Sequence, residues 1–212
     1  MDTANDFRIR LAEKGLSDLE RLINAIKVQR RKEILKEIRN MQSEMQIVKY
    51  SYLNPNELLE LENFKNVVSK AKELREVLKG AERDFNWKLA DYWLEYLADL
   101  PKLMQRGEIS KPYEAIRFFC GEIVNRKDLG KLWLCSVDCG FRIDVVTNSD
   151  EFKPNTFAVI AYLPPREFNG IISEGMFVPA SLQKKGELEI EEIRSIADKL
   201  GEVESILIEL LS

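Results

Sequence analysis

The chain has 212 residues, and 32 lysines and arginines against 36 aspartates and glutamates give a formal net charge of -4. It contains no histidine, which excludes Ser-His and Cys-His nucleophiles, imidazole metal ligands and the usual near-neutral general base. Three cysteines without histidine cannot build a four-ligand Cys/His zinc site within one chain. Hydrophobic residues make up 45% and charged residues 32%, a composition typical of a folded globular protein.

No targeting or anchoring segment is evident in the sequence. No apolar run approaches the roughly 20 residues that a membrane-spanning helix needs, and the N-terminus lacks the basic-then-apolar pattern of a signal peptide. An odd, small number of cysteines gives no disulfide framework. We therefore expect a cytoplasmic protein with reduced thiols and no membrane partner.

Composition changes near the middle of the chain. Residues 1–110 hold 20 basic and 19 acidic residues, whereas residues 111–212 hold 12 basic and 17 acidic residues. Pro55 is the one proline before position 101. Because proline is disfavoured inside helices, this shift predicts an α+β protein with a helical domain at 1–110, a β domain at 111–180 and a C-terminal helical extension at 181–212.

Apolar residues of the first half step by threes and fours along two long stretches, which is helical spacing. The first runs from Leu16 to Tyr52 with a stutter around Arg30, and the second runs from Leu61 to Leu100 with Gly80 as a candidate break. The prediction is a long α-helical hairpin that resembles a coiled coil. Since such a narrow stripe needs a partner helix along its whole length, the hairpin is also the expected interface of a homodimer.

Beyond residue 111 the pattern becomes that of short strands. Apolar runs at 116–124, 132–138, 141–147 and 156–163 are separated by turn residues. With a final strand that follows the segment 163–177, they predict a small five-stranded barrel or sandwich. Residues 189–211 return to helical spacing and predict a C-terminal helix.

The segment 163–177 is the most distinctive part of the second half. Two prolines forbid a helix there and two glycines supply unusual backbone angles, so we expect a loop that enters a final strand. Ser173 and nearby backbone N–H groups would face outward and bind a phosphate or a base edge. A well-packed corner that binds no ligand is the alternative.

Two segments together resemble a tRNA-binding domain. Residues 131–140 approximate the pattern K-L-(aromatic or apolar)-V-x-x-V-D-x-G. The second segment matches the pattern P-R-x-x-x-G-x-x-S-x-G-M in register, at Pro165, Arg166, Gly170, Ser173, Gly175 and Met176. This pattern is similar to the domain of the endothelial-monocyte-activating-polypeptide type. That domain occurs free-standing, at the C-terminus of many methionyl-tRNA synthetases and inside the bacterial phenylalanyl-tRNA synthetase beta subunit. The resemblance covers about residues 113–178 and implies an oligonucleotide/oligosaccharide-binding (OB) barrel.

The resemblance implies that Arg166, Ser173 and Met176 line the contact lip for tRNA. Where the family usually has basic residues after the P-R pair, this chain has Glu167, Phe168 and Asn169. Lysines and arginines neutralise phosphates and supply most nonspecific affinity. The supporting cations would be Arg117, Arg126, Lys127, Lys131, Arg142 and Lys153.

A second basic feature lies in the first half. Residues 21–39 carry seven basic and two acidic residues, and Lys27, Arg30, Arg31 and Lys32 form its densest part. A helical rod with this bias could lie along a phosphate backbone. An ordinary exposed helix face, or pairing with the acidic second half, are the other interpretations.

No catalytic constellation, metal site or cofactor motif is found in the sequence. We therefore expect a non-catalytic accessory protein that binds tRNA by shape and phosphate backbone, with an aminoacyl-tRNA synthetase as a candidate partner in trans. The alternatives are a protein-interaction or scaffold module and a chaperone-like peptide binder, since a bacterial secretion chaperone shares the barrel.

Overall fold

A computed structural model describes residues 1–212. The chain forms two compact units, Met1–Lys111 together with Leu211, and Pro112–Leu210 together with Ser212. No helix in the structure is both long enough and apolar enough to cross a membrane.

The first unit is entirely helical. Its helices are α1 (Phe7–Ala25), α2 (Arg31–Lys49), α3 (Pro55–Glu60), α4 (Glu62–Leu78), α5 (Phe85–Ala98) and α6 (Leu100–Met104). Helix α1 packs against α2 and α5, and α4 packs against the same two helices. The four longest helices therefore form a bundle in which each contacts two others.

The predicted long hairpin is wrong, because each of its two helices is interrupted. The first breaks at residues 26–30, where Arg30 adopts a left-handed conformation (φ 54°) and the Arg31 guanidinium donates to the Ile26 carbonyl (3.0 Å). The second ends at Leu78 and resumes at Phe85, close to the predicted break at Gly80. Stripe residues such as Ile38 are buried within the unit, so the heptad-like pattern is accounted for without a second copy of the chain.

Polar caps define where several of these helices begin. The Asp6 carboxylate accepts the Arg8 backbone N–H (2.9 Å) at the start of α1, and Asp84 does the same for Trp87 (2.8 Å) at the start of α5. Asn54 forms a capping box at the start of α3. Such side chains satisfy backbone donors that have no partner inside the helix.

A buried ion pair fixes the start of α1 to the end of α6. The fully buried Arg8 side chain pairs with Asp6 through two hydrogen bonds of 3.0 and 2.7 Å. Its remaining donors reach the carbonyls of Leu103 (2.8 Å) and Gly107 (2.9 Å). Because every charge is bonded, the desolvation penalty of this pair is offset by good geometry.

The second unit is an antiparallel sheet followed by two helices. Its strands are β1 (Arg117–Asp128), β2 (Trp133–Asp138), β3 (Arg142–Thr147), β4 (Phe157–Phe168), β5 (Ile171–Val178) and β6 (Gly186–Glu187). The strand order is β3-β2-β1-β4-β5, with β6 paired to β1. The α+β class is confirmed, but there are six strands rather than five. The predicted single C-terminal helix is instead α7 (Ile190–Ser195) and α8 (Gly201–Leu211).

The expected loop at residues 163–177 is also wrong, since β4 continues through both prolines to Phe168. The β4–β5 ladder is irregular between Tyr162 and Arg166. Pro164 and Pro165 fall in that interval, where a proline removes no regular ladder bond. The ladder resumes with Arg166 opposite Ser173.

Side chains from all five longer strands fill the core of this unit. Its buried members are Phe119, Ile123, Cys135, Val137, Cys139, Ile143, Val145, Ala158, Ile160 and Phe177. Most alternate along their strands, as expected for a sheet with one face turned inward.

Candidate nucleic-acid interface

A cavity of about 470 Å³ lies within the second unit. Strand β3 and the residues after it, 146–149, form one wall, and Leu132 before β2 lies beside them. Strands β4 and β5 contribute Arg166, Ser173 and Met176, and α8 contributes Glu202 and Ile206. Three residues of the sequence-predicted contact lip are thus brought together.

Ser173 does not have the orientation that the sequence suggested. Its side chain is buried, with 3% of the residue exposed. The hydroxyl accepts the Val146 backbone N–H (3.0 Å) and donates to the Gly175 carbonyl (3.0 Å). Its one donor and one of its two acceptor lone pairs are used inside the protein, and the side chain is buried, so Ser173 joins β3 to β5 rather than offering a hydroxyl to a ligand.

Glu174 makes a second link between the same two strands. Its Oε2 accepts the backbone N–H of Asp144 (3.0 Å). The Asp144 carboxylate in turn accepts a hydrogen bond from Arg142 Nε (2.8 Å), and this bond raises the pKa of the Arg142 guanidinium. Arg142 is therefore matched by a carboxylate on its own strand, which weakens its predicted role as a phosphate ligand.

Arg117 and Arg126 are held in packing roles as well. Arg117 pairs with Glu187 (3.3 Å) and lies over the Phe119 ring at 4.8 Å. Arg126 pairs with Asp150 (2.9 Å) and stacks on Trp133 at 3.8 Å. Both side chains are mostly buried, so their charges are committed within the unit rather than presented to a ligand.

Four predicted cations remain exposed and form no ion pair: Lys127, Lys131, Lys153 and Arg166. Lys131 directly precedes Leu132, a cavity residue, and Lys127 lies opposite Leu134 in the β1–β2 ladder. Arg166 itself is the one cation that lines the cavity. These four are the groups of the second unit that are available to phosphates.

The structure adds cavity residues that the sequence did not single out. Phe168 lies at the wall with 38% of its surface exposed, and it could have been noticed as an aromatic residue beside the P-R pair. Glu151 and Glu202 place carboxylates on the same cavity. Nothing local in the sequence could predict Glu202, because it reaches the cavity from a helix that follows the sheet.

The second predicted patch lies in the helical unit, at the connection between α1 and α2. Lys27, Arg30, Arg31 and Lys32 are all exposed there. They occupy a turn and the start of a helix rather than the side of a continuous rod.

The fold and site together define an α+β protein in which a helical bundle precedes an antiparallel sheet unit with a partly apolar cavity. The family model described as "Alpha helical domain" matches residues 1–107, just over half of the chain. The chain belongs to that family. No curated protein matches the chain.

Proposed function

We propose that the protein is a non-catalytic tRNA-binding accessory protein and that its second unit is an OB barrel that contacts the phosphate backbone. The observation that carries the proposal is the convergence of Arg166, Ser173 and Met176 on one cavity. These residues belong to the sequence pattern that resembles the tRNA-binding domain. In OB barrels, oligonucleotides bind along strands 2 and 3 and the loops after strands 1 and 4.

The links between β3 and β5 support the barrel assignment. These strands are the two ends of the strand order, and the side chains of Ser173 and Glu174 bond the β3 backbone. In a closed barrel the first and last strands lie side by side, and the two side-chain bonds between β3 and β5 fit such a closure. The two-residue β6 is then an addition beside β1.

The chemistry of the cavity suits a nucleotide. Arg166 offers a guanidinium that can grip a phosphate through two hydrogen bonds, and Lys131 adds a point charge nearby. Leu132, Phe168 and Met176 provide apolar and aromatic surface on which a base can stack. Recognition of this kind follows shape and backbone rather than a long sequence.

Neutralising two of these cations tests the proposal. A full-length Arg166→Ala/Lys131→Ala variant should bind unfractionated tRNA at least about tenfold more weakly at low salt, because two phosphate contacts are lost. Fluorescence anisotropy with labelled tRNA gives the dissociation constant. The matched control is Lys65→Ala/Lys199→Ala, which removes the same charge from two exposed lysines that already pair with Glu60 and Asp198.

The proposal fails if the wild-type chain has no tRNA affinity at low salt, or if the cavity variant binds as tightly as the control. If tRNA binding is found, a partner role with an aminoacyl-tRNA synthetase is the natural extension. We propose that as well, and addition of the protein to an aminoacylation reaction tests it through a lower KM for tRNA.

The carboxylates at the cavity favour a second candidate function, binding of an apolar and basic peptide segment. Glu151 and Glu202 face a space whose other walls include Leu163 and Ile206. Peptide binding to apolar walls resists salt, whereas phosphate binding does not. A labelled peptide rich in leucine and lysine that binds at high salt, with no affinity for tRNA, would favour this function.

A further inference from the structure

Two connections that are distant in the sequence meet at one end of the helical unit. Residues 27–30, between α1 and α2, face Val77, Gly80 and Ala81 across an open groove of about 590 Å³. Lys27 Nζ lies 4.0 Å from Glu82 in the connection between α4 and α5. We call this surface the basic end, and it comprises Lys27, Arg30, Arg31, Lys32, Lys79 and Arg83.

The carboxylates at the basic end do not neutralise it. Glu76 is held by Lys79 (2.6 Å), and Asp84 caps α5. Glu82 approaches Lys27 no closer than 4.0 Å, and Glu33 lies 3.9 Å from Arg30. Both of these pairs are largely exposed, and exposed pairs contribute little.

Lys32 and Arg83 form no ion pair; Lys32 lies in the first turn of α2, and Arg83 lies in the connection between α4 and α5. The Arg83 guanidinium lies over the Trp87 ring at 5.1 Å, which keeps it at the surface while leaving its N–H donors available. Arg31 uses one donor on the Ile26 carbonyl and retains others, since a guanidinium carries five. Several cationic donors of the basic end therefore face water.

The position of these cations opposes local stability. Arg30, Arg31 and Lys32 occupy the beginning of α2, where the partial positive charge of the helix favours carboxylates. A segment that breaks a local rule is a candidate for function. Glu33 is the one carboxylate in this first turn, so an external polyanion would add negative charge where three cations outnumber it.

We propose that the basic end is a second contact surface, for the phosphate groups of an RNA backbone. It goes beyond the cavity of the second unit and uses none of its residues. Guanidinium and ammonium donors drawn from two connections suit a chain of phosphates. An anionic membrane would also need large apolar side chains that insert, and Val77 is the one exposed large hydrophobic side chain at this end.

Lysine footprinting of the full-length protein tests this assignment. Acetylation followed by mass spectrometry, with and without unfractionated tRNA at low salt, should show protection of Lys27 and Lys32. Lys65 and Lys72 of α4 are exposed lysines outside the basic end and should stay reactive. Equal reactivity of Lys27 and Lys32 with and without tRNA overturns the proposal. So does protection by anionic lipid vesicles without protection by tRNA.

A matched pair of variants gives an independent measurement. Lys32→Gln/Arg83→Gln should weaken tRNA binding about tenfold and make the slope of log K against log salt shallower by about 1.5, as expected for two lost phosphate contacts. Lys65→Gln/Lys72→Gln removes the same charge and should leave both quantities unchanged. Identical behaviour of the two variants contradicts the assignment.

The footprint separates this inference from the proposed function. Protection of Lys127 and Lys131 alone would support the cavity and overturn the basic end. Protection of Lys27 and Lys32 alone would support the basic end and overturn the cavity. An absence of protection at all four lysines would overturn both.

Discussion

Gly15 has no side chain, and this allows Trp93 to pack closely against α1 in the core of the helical bundle. A Cβ atom at this position would lie 2.6 Å from Trp93 Cε3, far inside contact distance. Trp93 is fully buried, and Tyr92 and Tyr96 pack edge-on against it at 5.1 and 6.1 Å. A methyl group added at position 15 would therefore meet an indole that packed side chains already enclose.

Gly15→Ala should consequently destabilise the protein by about 1–3 kcal/mol, the usual cost of overpacking a core. Urea unfolding followed by tryptophan fluorescence measures the change. Gly80→Ala is the control, because a Cβ there meets nothing within 4 Å. Equal stability of the two variants would show that the indole can move.

Cys139 gives a prediction about alkaline pH. Burial raises the pKa of its thiol from 9.0 to about 12, so the folded protein keeps a proton that the unfolded chain loses. Its contribution to stability is therefore complete below about pH 9 and falls by about 1.4 kcal/mol per pH unit between the two pKa values.

The comparison that isolates this thiol is wild type against Cys139→Ala at pH 8 and pH 10. Urea midpoints should fall less for the variant over this range, because one titrating group has been removed. Burial also raises the pKa of Cys120 and Cys135, so some alkaline loss persists in both proteins. An identical loss in both would refute the role of Cys139.

At the scale of elements, the β3–β5 connection depends on one hydroxyl and one carboxylate. Ser173→Ala leaves the Val146 N–H without its partner, and an orphaned donor of this kind costs about 1–3 kcal/mol. Circular dichroism during urea unfolding reports the loss. Ser181→Ala, at an exposed position outside the strands, should have no effect. A stable Ser173→Ala protein would mean that the two strands do not need this link.

Element type was predictable from the sequence where local spacing decides it. The helical stripes and the short strands rest on periodicity within a few residues, and both classes are found. The break at Arg30 was not predictable, because a left-handed arginine has no sequence signature. The extension of β4 through Pro164 and Pro165 was missed because it depends on an irregular ladder with β5.

The candidate site was predictable only in part from the sequence. Arg166, Ser173 and Met176, which belong to one short motif, lie together at the cavity, whereas the other six predicted residues do not line it. Ser173 turns inward to bond the backbone of Val146, which is 27 residues away in the sequence. No local pattern in the sequence predicts such a pairing. Arg126 is likewise held within the unit by its contacts with Asp150 and Trp133. Whether its guanidinium can reach a ligand therefore depends on tertiary contacts.

At the scale of the whole molecule, the charges divide unevenly between the two halves. Residues 111–212 hold 12 basic and 17 acidic residues, and three predicted cations there are already paired. Four exposed cations of the second unit remain, and each phosphate contact adds about 0.7–0.9 to the salt slope.

Binding of tRNA through these four cations alone should therefore give a slope of about -3 in log K against log salt. A titration from about 50 to 200 mM salt by anisotropy measures it. A steeper slope would indicate that the basic end contributes contacts as well. A slope near zero would contradict backbone recognition and favour the peptide alternative.

The absence of imidazoles, combined with thiols whose protons are held into the alkaline range, leaves almost nothing on this chain that changes charge between about pH 6 and 7. Mild acidification therefore barely alters its electrostatic field. An acid-sensitive complex in that interval would therefore point first to titrating groups of the other molecule, because this chain by itself presents a nearly constant charge.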